Sequence, residues 1–280
     1  MRACIVCFSQ TSNTLRVAEA VQERLAAEAG SCALYRLEDA DPALASRYDL
    51  VGLGTPVFYL REPLNVRRFF LDMPRQSLAG RPKPFFLFLT HGGTPADAAA
   101  RIHGLAQRRG LATLAWFQCL GVDTFAPYAG RWPLIAAGHP DAADLAKARR
   151  FASRVVSLAG AYAASGPDPR PAIPGSLATR LASGLFSSRG LRLMERHGIL
   201  PHKRIHRGRC TRCAICVQSC PQGIIRLDPF PAIGDAGCIY CYHCVRVCPA
   251  EAILCNWTPL RILSGHYLRQ LLSSRKPPQG

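Results

Sequence analysis

Eight of the thirteen cysteines fall between Cys210 and Cys248, and their spacing is regular. The pattern C-x2-C-x2-C-x3-C-P occurs twice, as Cys210, Cys213, Cys216, Cys220 and Pro221, then as Cys238, Cys241, Cys244, Cys248 and Pro249. The second copy lies 28 residues after the first, and the same offset places Ile225 on Ile253. Two residues between ligands let successive thiolates wrap one iron–sulfur cubane from a tight loop. The fourth cysteine leaves on a short helix and reaches across to the other cubane. On this reading Cys210, Cys213, Cys216 and Cys248 hold one [4Fe-4S] cluster, and Cys238, Cys241, Cys244 and Cys220 hold a second. Zinc and structural disulfides are the alternatives. Zinc favours two ligand pairs with a longer spacer, and disulfides favour exported chains.

Residues 205–255 thus resemble a bacterial two-cluster ferredoxin. The resemblance implies that apolar neighbours such as Ile215, Val217, Ile239, Val245, Val247 and Ile253 shield the clusters. Tyr240 and Tyr242 are read as core residues or as neighbours of a cluster. Cys255 is surplus to the pattern and reads as a small buried hydrophobe.

A second constellation stands near the start, where Ser9-Gln10-Thr11-Ser12-Asn13-Thr14 follows an apolar run and precedes a helical pattern. A helix N-terminus offers unpaired N–H groups and the positive end of a dipole, and hydroxyls add donors, a combination suited to a phosphate. Ser/Thr-rich turns of this kind also serve simply as helix caps. Two further loops come after later strand patterns: Gly54-Thr55-Pro56-Val57-Phe58-Tyr59 with Pro63, and Thr90-His91-Gly92-Gly93-Thr94-Pro95. Loops at the carboxyl ends of strands are where open α/β sheets bind ligands.

The three loops together resemble those of flavodoxin, whose phosphate loop has the form S/T-x-T-G-x-T; Ser12 stands where that family usually has Gly. The resemblance implies an FMN site built from Ser9, Thr11, Ser12, Asn13 and Thr14 at the phosphate, with Thr55, Pro56, Val57, Phe58, Tyr59, Thr90, His91, Gly92 and Gly93 around the ring. Phe58 or Tyr59 is expected to stack on the flavin, and the backbone at Gly92 and Gly93 to approach it. The other reading is two ordinary βα loops with aromatics packed on the sheet. No G-x-G-x-x-G is present to suggest a dinucleotide.

The elements that must position these residues alternate. Strand-like runs at 3–8, 33–37, 50–53, 85–89 and 111–119 are separated by helical patterns at 15–29, 64–73, 96–109 and 141–164. Asn13 or Thr14 is the expected N-cap of the first helix and Asp141 that of the last. Such alternation predicts an α/β, doubly wound parallel sheet of flavodoxin-like order 2-1-3-4-5, followed by a small α+β two-cluster ferredoxin-like domain. The expected organisation is a flavin-binding domain at 1–165 and a Pro-rich linker with a basic amphipathic segment at 166–200. A cluster-binding domain at 201–258 and a basic extension at 259–280 complete it.

Of the formal charge of +17, residues 171–280 carry 15 Lys/Arg against 4 Asp/Glu, and residues 1–170 carry 20 against 14. The basic segments 177–196 and 260–276 fit interdomain helices, a docking site for an acidic redox partner, or a surface on anionic lipid. Aromatics are not interleaved with the basic residues, which argues against nucleic acid. No apolar run approaches the length of a spanning helix and no leader is read at the start, so the expected location is cytoplasmic, in a reducing and anaerobic setting. The whole layout resembles flavodoxin–ferredoxin fusion proteins of anaerobic prokaryotes. It implies an electron carrier that converts two-electron and one-electron steps between redox protein donors and acceptors with acidic docking surfaces. The alternative is an FMN-dependent reductase of a small substrate such as a quinone, with a cavity drawn from Phe58, Tyr59, Phe125, Tyr128 or Trp132.

Overall fold

The structure, a computed structural model, describes residues 1–125, 134–165, 171–234 and 236–262. It divides into two compact units: Met1–Val122 with Ala136–Gly184, and Asp123–Ile135 with Leu185–Gly280.

The first unit is built on strands β1 (Arg2–Cys7), β2 (Ser31–Arg36), β3 (Leu50–Pro56), β4 (Lys83–His91) and β5 (Leu111–Leu120). All neighbours pair in parallel, and the order is β2-β1-β3-β4-β5, as the alternation predicts. Helices α1 (Asn13–Ala29), α2 (Leu64–Asp72), α3 (Ala98–Arg108) and α4 (Ala142–Ser165) connect or follow the strands. Nearly every residue of the central strands is apolar and buried, because helices cover both faces. On one face Phe86 and Phe88 of β4 meet Val17, Val21 and Leu25 of α1 and Phe151 and Val155 of α4. On the other, Phe85 meets Phe70 of α2 edge-on at 6.1 Å. The rings of Phe86 and Phe88 lie directly over Gly52 and Gly54 of β3, where an added Cβ would fall 2.2 and 2.3 Å from a ring carbon.

Helix starts follow local chemistry. Asp141 and Asp144 form a reciprocal capping box at the start of α4, each carboxylate accepting from the other's backbone N–H at 2.8 and 3.1 Å. At α1 the expected caps Asn13 and Thr14 are already inside the helix. Ser12 is the cap, in left-handed conformation with φ 62° and no side-chain cap bond. The Ser9 hydroxyl accepts the Leu15 N–H instead, at 3.2 Å.

The segment expected as a linker is divided between the units. α5 (Leu177–Leu185) is tied down when Arg101 donates to the Ser183 hydroxyl at 2.9 Å, while the Arg61 guanidinium donates to the Ser183 carbonyl at 3.4 Å. α6 (Ser188–Arg196) begins afresh, its cap Ser187 accepting from the Gly190 N–H, and buries Leu191 in the second unit. Residues 166–170 of the Pro-rich stretch and 263–280 of the basic extension lie outside the described residues.

The second unit repeats itself in conformation as it does in sequence. α7 (Ile215–Gln218) and α8 (His243–Arg246) are one offset of 28 apart. β6 (Arg204–Ile205) pairs antiparallel with β9 (Ile253–Leu254), and β7 (Ile225–Asp228) with β8 (Phe230–Ile233). Ile205 sits opposite Ile253, and its repeat mate Ile233 sits opposite Ile225. Each half therefore completes its ladder with a strand of the other or its copy, the pairing expected of a duplicated unit with a pseudo-two-fold axis. Cys216, Ile225, Cys244 and Ile253 form its buried core. Ile215, expected to shield a cluster, is 39 % exposed, while Ile239 and Ile253 are buried. Among the described residues no helix is long and apolar enough to cross a membrane.

Candidate functional site

Two small, partly open cavities in the second unit are walled by cysteines. One is lined by Cys210, Cys213, Cys216 and Cys248; the other by Cys220, Cys238, Cys241 and Cys244. Each cavity thus gathers three cysteines from one repeat and the fourth from the other. All eight thiols are free of disulfides.

The loops that bring three sulfurs to one cavity depend on backbone rarely adopted by L residues. Arg212 and Ala214 have φ of 57° and 60°, and their repeat mates Tyr240 and Tyr242 have 56° and 52°. Placing such residues between the cysteines curls the chain around the cavity and turns N–H groups inward, as in an anion-binding nest. The Tyr240 N–H donates to Cys238 Sγ at 3.4 Å and the Ala252 N–H to Cys248 Sγ at 3.2 Å. Burial pushes the Cys244 thiol up to about 12, and Cys216 and Cys238 also rise. Without a metal these sulfurs are protonated, and a bound metal displaces the proton. A soft, four-sulfur, apolar-walled donor set fits a cubane.

Lys203 was hidden in the sequence among many basic residues. Its ammonium lies 3.3 Å from Glu195 and 4.6 Å from the centre of the Tyr242 ring, beside the second cavity. Burial draws its pKa down, but Cys238 and Glu195 outweigh burial and the net direction is up. Tyr242 lines that cavity and donates its hydroxyl to the Pro201 carbonyl at 3.1 Å.

In the first unit the three sequence-picked loops all leave carboxyl ends of strands, after β1, β3 and β4. Between Ser9 and α1 the side chains largely satisfy one another. Thr14 shares a 2.7 Å hydrogen bond with Thr90, and the Asn13 amide donates to Thr11 Oγ1 and to the Val122 carbonyl. Among the described residues, the backbone N–H groups of Gln10 to Thr14 donate to nothing within the chain, and Gln10 Nε2 is buried without a partner. Unspent donors at a helix N-terminus fit a phosphate group better than the hydroxyls picked from sequence.

At the end of β3, Thr55 is buried, and just beyond it the Val57 N–H donates to the Thr90 carbonyl at 3.0 Å, joining the second and third loops. Phe58 meets Phe8 edge-on at 5.9 Å. Phe58 and Arg61 exchange two 3.0 Å backbone hydrogen bonds around Tyr59 and Leu60, whose φ values are 51° and 64°. This is a type I′ turn carried by two residues with side chains, where Asn-Gly is usual. His91 is half-buried with Nδ1 lacking a partner, and burial pushes its pKa down to about 4 against a weaker upward pull from the Gly93 backbone. Gly92 and Gly93 follow it, half-buried. Phe125, which the reductase alternative would use in a cavity over the ring, packs edge-on against Tyr242 and Trp257 in the second unit, at 6.3 and 6.2 Å. Tyr128 and Trp132 lie outside the described residues.

Residues 209–253 match the family model described as a 4Fe-4S dicluster domain. Among solved structures, the chain is similar to a flavodoxin from the domain Archaea at 15 % identity and TM-score 0.43, covering 57 % of this chain and 99 % of that one. It is similar to two-electron reduced Megasphaera elsdenii flavodoxin at 18 % identity and TM-score 0.41, covering 55 % and 98 %. Rubredoxin oxygen:oxidoreductase from the anaerobe Desulfovibrio gigas aligns at 15 % identity and TM-score 0.46, over 59 % of this chain and 37 % of that one. No curated protein matches the sequence.

A parallel sheet of this strand order, followed along the chain by a 4Fe-4S dicluster domain, supports a redox role of the electron-transfer kind. More particularly, the chain joins a flavodoxin-like domain to a ferredoxin-type 4Fe-4S dicluster domain.

Proposed function

We propose that the chain passes electrons between FMN, held by the first unit, and two [4Fe-4S] clusters, held by the second, converting two-electron and one-electron steps for a partner redox enzyme. The reading rests above all on the two cavities of the second unit, each lined by four cysteines in the three-plus-one combination that the duplicated motif predicts. Cys210, Cys213, Cys216 and Cys248 take one cluster; Cys238, Cys241, Cys244 and Cys220 take the other. When bound, the flavin supplies one- or two-electron chemistry and each cubane supplies one-electron chemistry.

The chain's own residues hold and tune these groups. The N–H groups from Gln10 to Thr14 receive the FMN phosphate, with Ser9, Thr11, Ser12, Asn13 and Thr14 shaping the loop. Thr55, Pro56, Val57, Phe58 and Tyr59 form one wall for the ring, and Thr90, His91, Gly92 and Gly93 the other. A neutral His91 keeps Nδ1 as a hydrogen-bonding group throughout the physiological range, because burial holds its pKa near 4. Lys203 places a cation beside the thiolates of the second quartet. Donor and acceptor are redox proteins with acidic docking surfaces, met in the cytoplasm.

Anaerobic purification followed by assay of FMN, iron and acid-labile sulfide tests this reading. The expected content is about one FMN and about eight iron and eight sulfide per chain. Zinc in place of iron, or a chain that takes up no FMN, would overturn it.

A further inference from the structure

The repeat duplicates the ligands but not the charges around them. With the offset of 28, Arg207, Arg209 and Arg212 correspond to Asp235, Gly237 and Tyr240. The three arginines that flank the Cys210 quartet therefore have no basic residue at the aligned positions of the second repeat, and the cation beside the Cys238 quartet, Lys203, is paired with Glu195. Cysteine exposure differs at one repeat pair: Cys213 is exposed and its mate Cys241 half-buried, while Cys210 and Cys238, Cys216 and Cys244, and Cys220 and Cys248 match.

All three arginines are exposed, and two are held in place. The guanidinium carbons of Arg207 and Arg212 stand 5.5 and 5.9 Å from the centre of the Phe230 ring. Among the described residues none of the three has a carboxylate within ion-pair distance. Asp228 lines a groove with Arg207 and Phe230 but does not close on the guanidinium, and Glu195 is taken by Lys203 at 3.3 Å. Two cations held at one aromatic ring with no counter-charge among the described residues are prepared for carboxylates from outside. Stacking removes part of the side-chain entropy that docking would otherwise cost, and the guanidinium fork suits a carboxylate.

We propose that this face, Arg207, Arg209 and Arg212 around exposed Cys213 with Phe230 as their platform, is the docking site for the acidic redox partner. The Cys210 quartet is then the one nearer the partner. The assignment rests on the iron–sulfur reading of the two quartets.

The test measures binding of the intact oxidised protein to cytochrome c and to succinylated cytochrome c, two forms of one fold with opposite net charge, by sedimentation or calorimetry. The expected result is binding of the succinylated form only, weakening about tenfold between about 20 and 300 mM salt. Arg207→Glu with Arg209→Glu should weaken binding about tenfold at low salt. Phe230→Leu, which keeps every charge but removes the platform, should weaken it about threefold. Arg189→Glu with Arg192→Glu on α6, the same change in net charge at another place, should leave it within about twofold.

Iron content and unfolding temperature of each variant report whether the unit stays folded and loaded. Equal losses from the α6 pair and the Arg207 pair would overturn the proposal, as would binding that ignores salt. So would binding to vesicles of phosphatidylserine and phosphatidylcholine, lost with the Arg207 pair, when succinylated cytochrome c does not bind. Absence of iron from the wild-type chain would sink the iron–sulfur reading and is measured separately.

Discussion

His91 shows how one residue's surroundings decide its chemistry. Its sequence neighbours, Thr90 and two glycines, suggest a solvent-facing loop, yet the ring is half-buried and Nδ1 has no partner. Burial lowers its pKa from 6.5 to about 4, so between these values the unfolded chain binds a proton that the folded chain does not. Stability therefore rises with pH across that window, and the contribution is complete above pH 6.5 and lost as pH falls towards 4. The shift corresponds to about 3 kcal/mol. Urea midpoints of the wild type and His91→Gln from pH 4.5 to 7.5 should diverge at low pH, the variant losing less. Burial pushes Glu38 the opposite way, but it is common to both proteins and cancels in the difference. Parallel curves would mean that His91 stays protonatable in the folded state.

At the scale of elements, β3 and β4 show why the central sheet is close-packed. Gly52 and Gly54 alternate with Val51, Leu53 and Thr55, and their missing side chains make room for Phe86 and Phe88 on the adjacent strand. The large ring completes the surface the glycine leaves open. Gly54→Ala would force a Cβ to 2.3 Å from the Phe88 ring, in a core that also holds α1 and α4. Such overpacking costs about 1–3 kcal/mol, and the unfolding temperature of the first unit should fall by several degrees. An unchanged melting curve would show that the ring swings aside freely.

These strands were legible because β-sheet cores concentrate Val, Ile, Leu and Phe into short runs, and all five runs became strands in the expected order. Local chemistry was less legible. Ser12, rather than Asn13 or Thr14, caps α1, with a positive φ and no side-chain cap bond, so side-chain cap preference does not mark the boundary there. The single amphipathic run from 177 to 197 broke into α5 and α6, since Ser183 bonds into the first unit while Ser187 restarts a helix whose Leu191 is buried in the second. Leucine spacing cannot distinguish one helix from two with the same polarity. The left-handed Tyr59 and Leu60 were invisible for a related reason: nothing in those side chains announces a conformation that usually calls for glycine. At the cysteine quartets the position was the reverse. Ligand spacing is itself the local geometry, so the sequence motif and the cavity linings name the same eight residues.

For the whole molecule, the consequential feature is that neither half of the second unit completes a cavity alone. Cys248 stands 32 residues beyond Cys216 yet lines the same cavity, and Cys220, four residues after Cys216, lines the other. β6 pairing with β9 supplies the same crossing in the backbone. Removal of a ligand should therefore report on the cavity it lines and not on the repeat it belongs to. Cys210→Ala and Cys248→Ala, from different repeats, act on one cavity. Each should lose about four of about eight irons, and combining them should cost little more, because a quartet already lost has nothing further to lose. Cys210→Ala with Cys220→Ala, both from the first repeat, should empty both cavities. Iron and sulfide per chain, with the cluster absorption retained by each variant, decide the matter. If the pair drawn from one repeat spares half the iron and the pair drawn from two repeats removes all of it, each repeat holds its own cluster, and the crossed assignment fails.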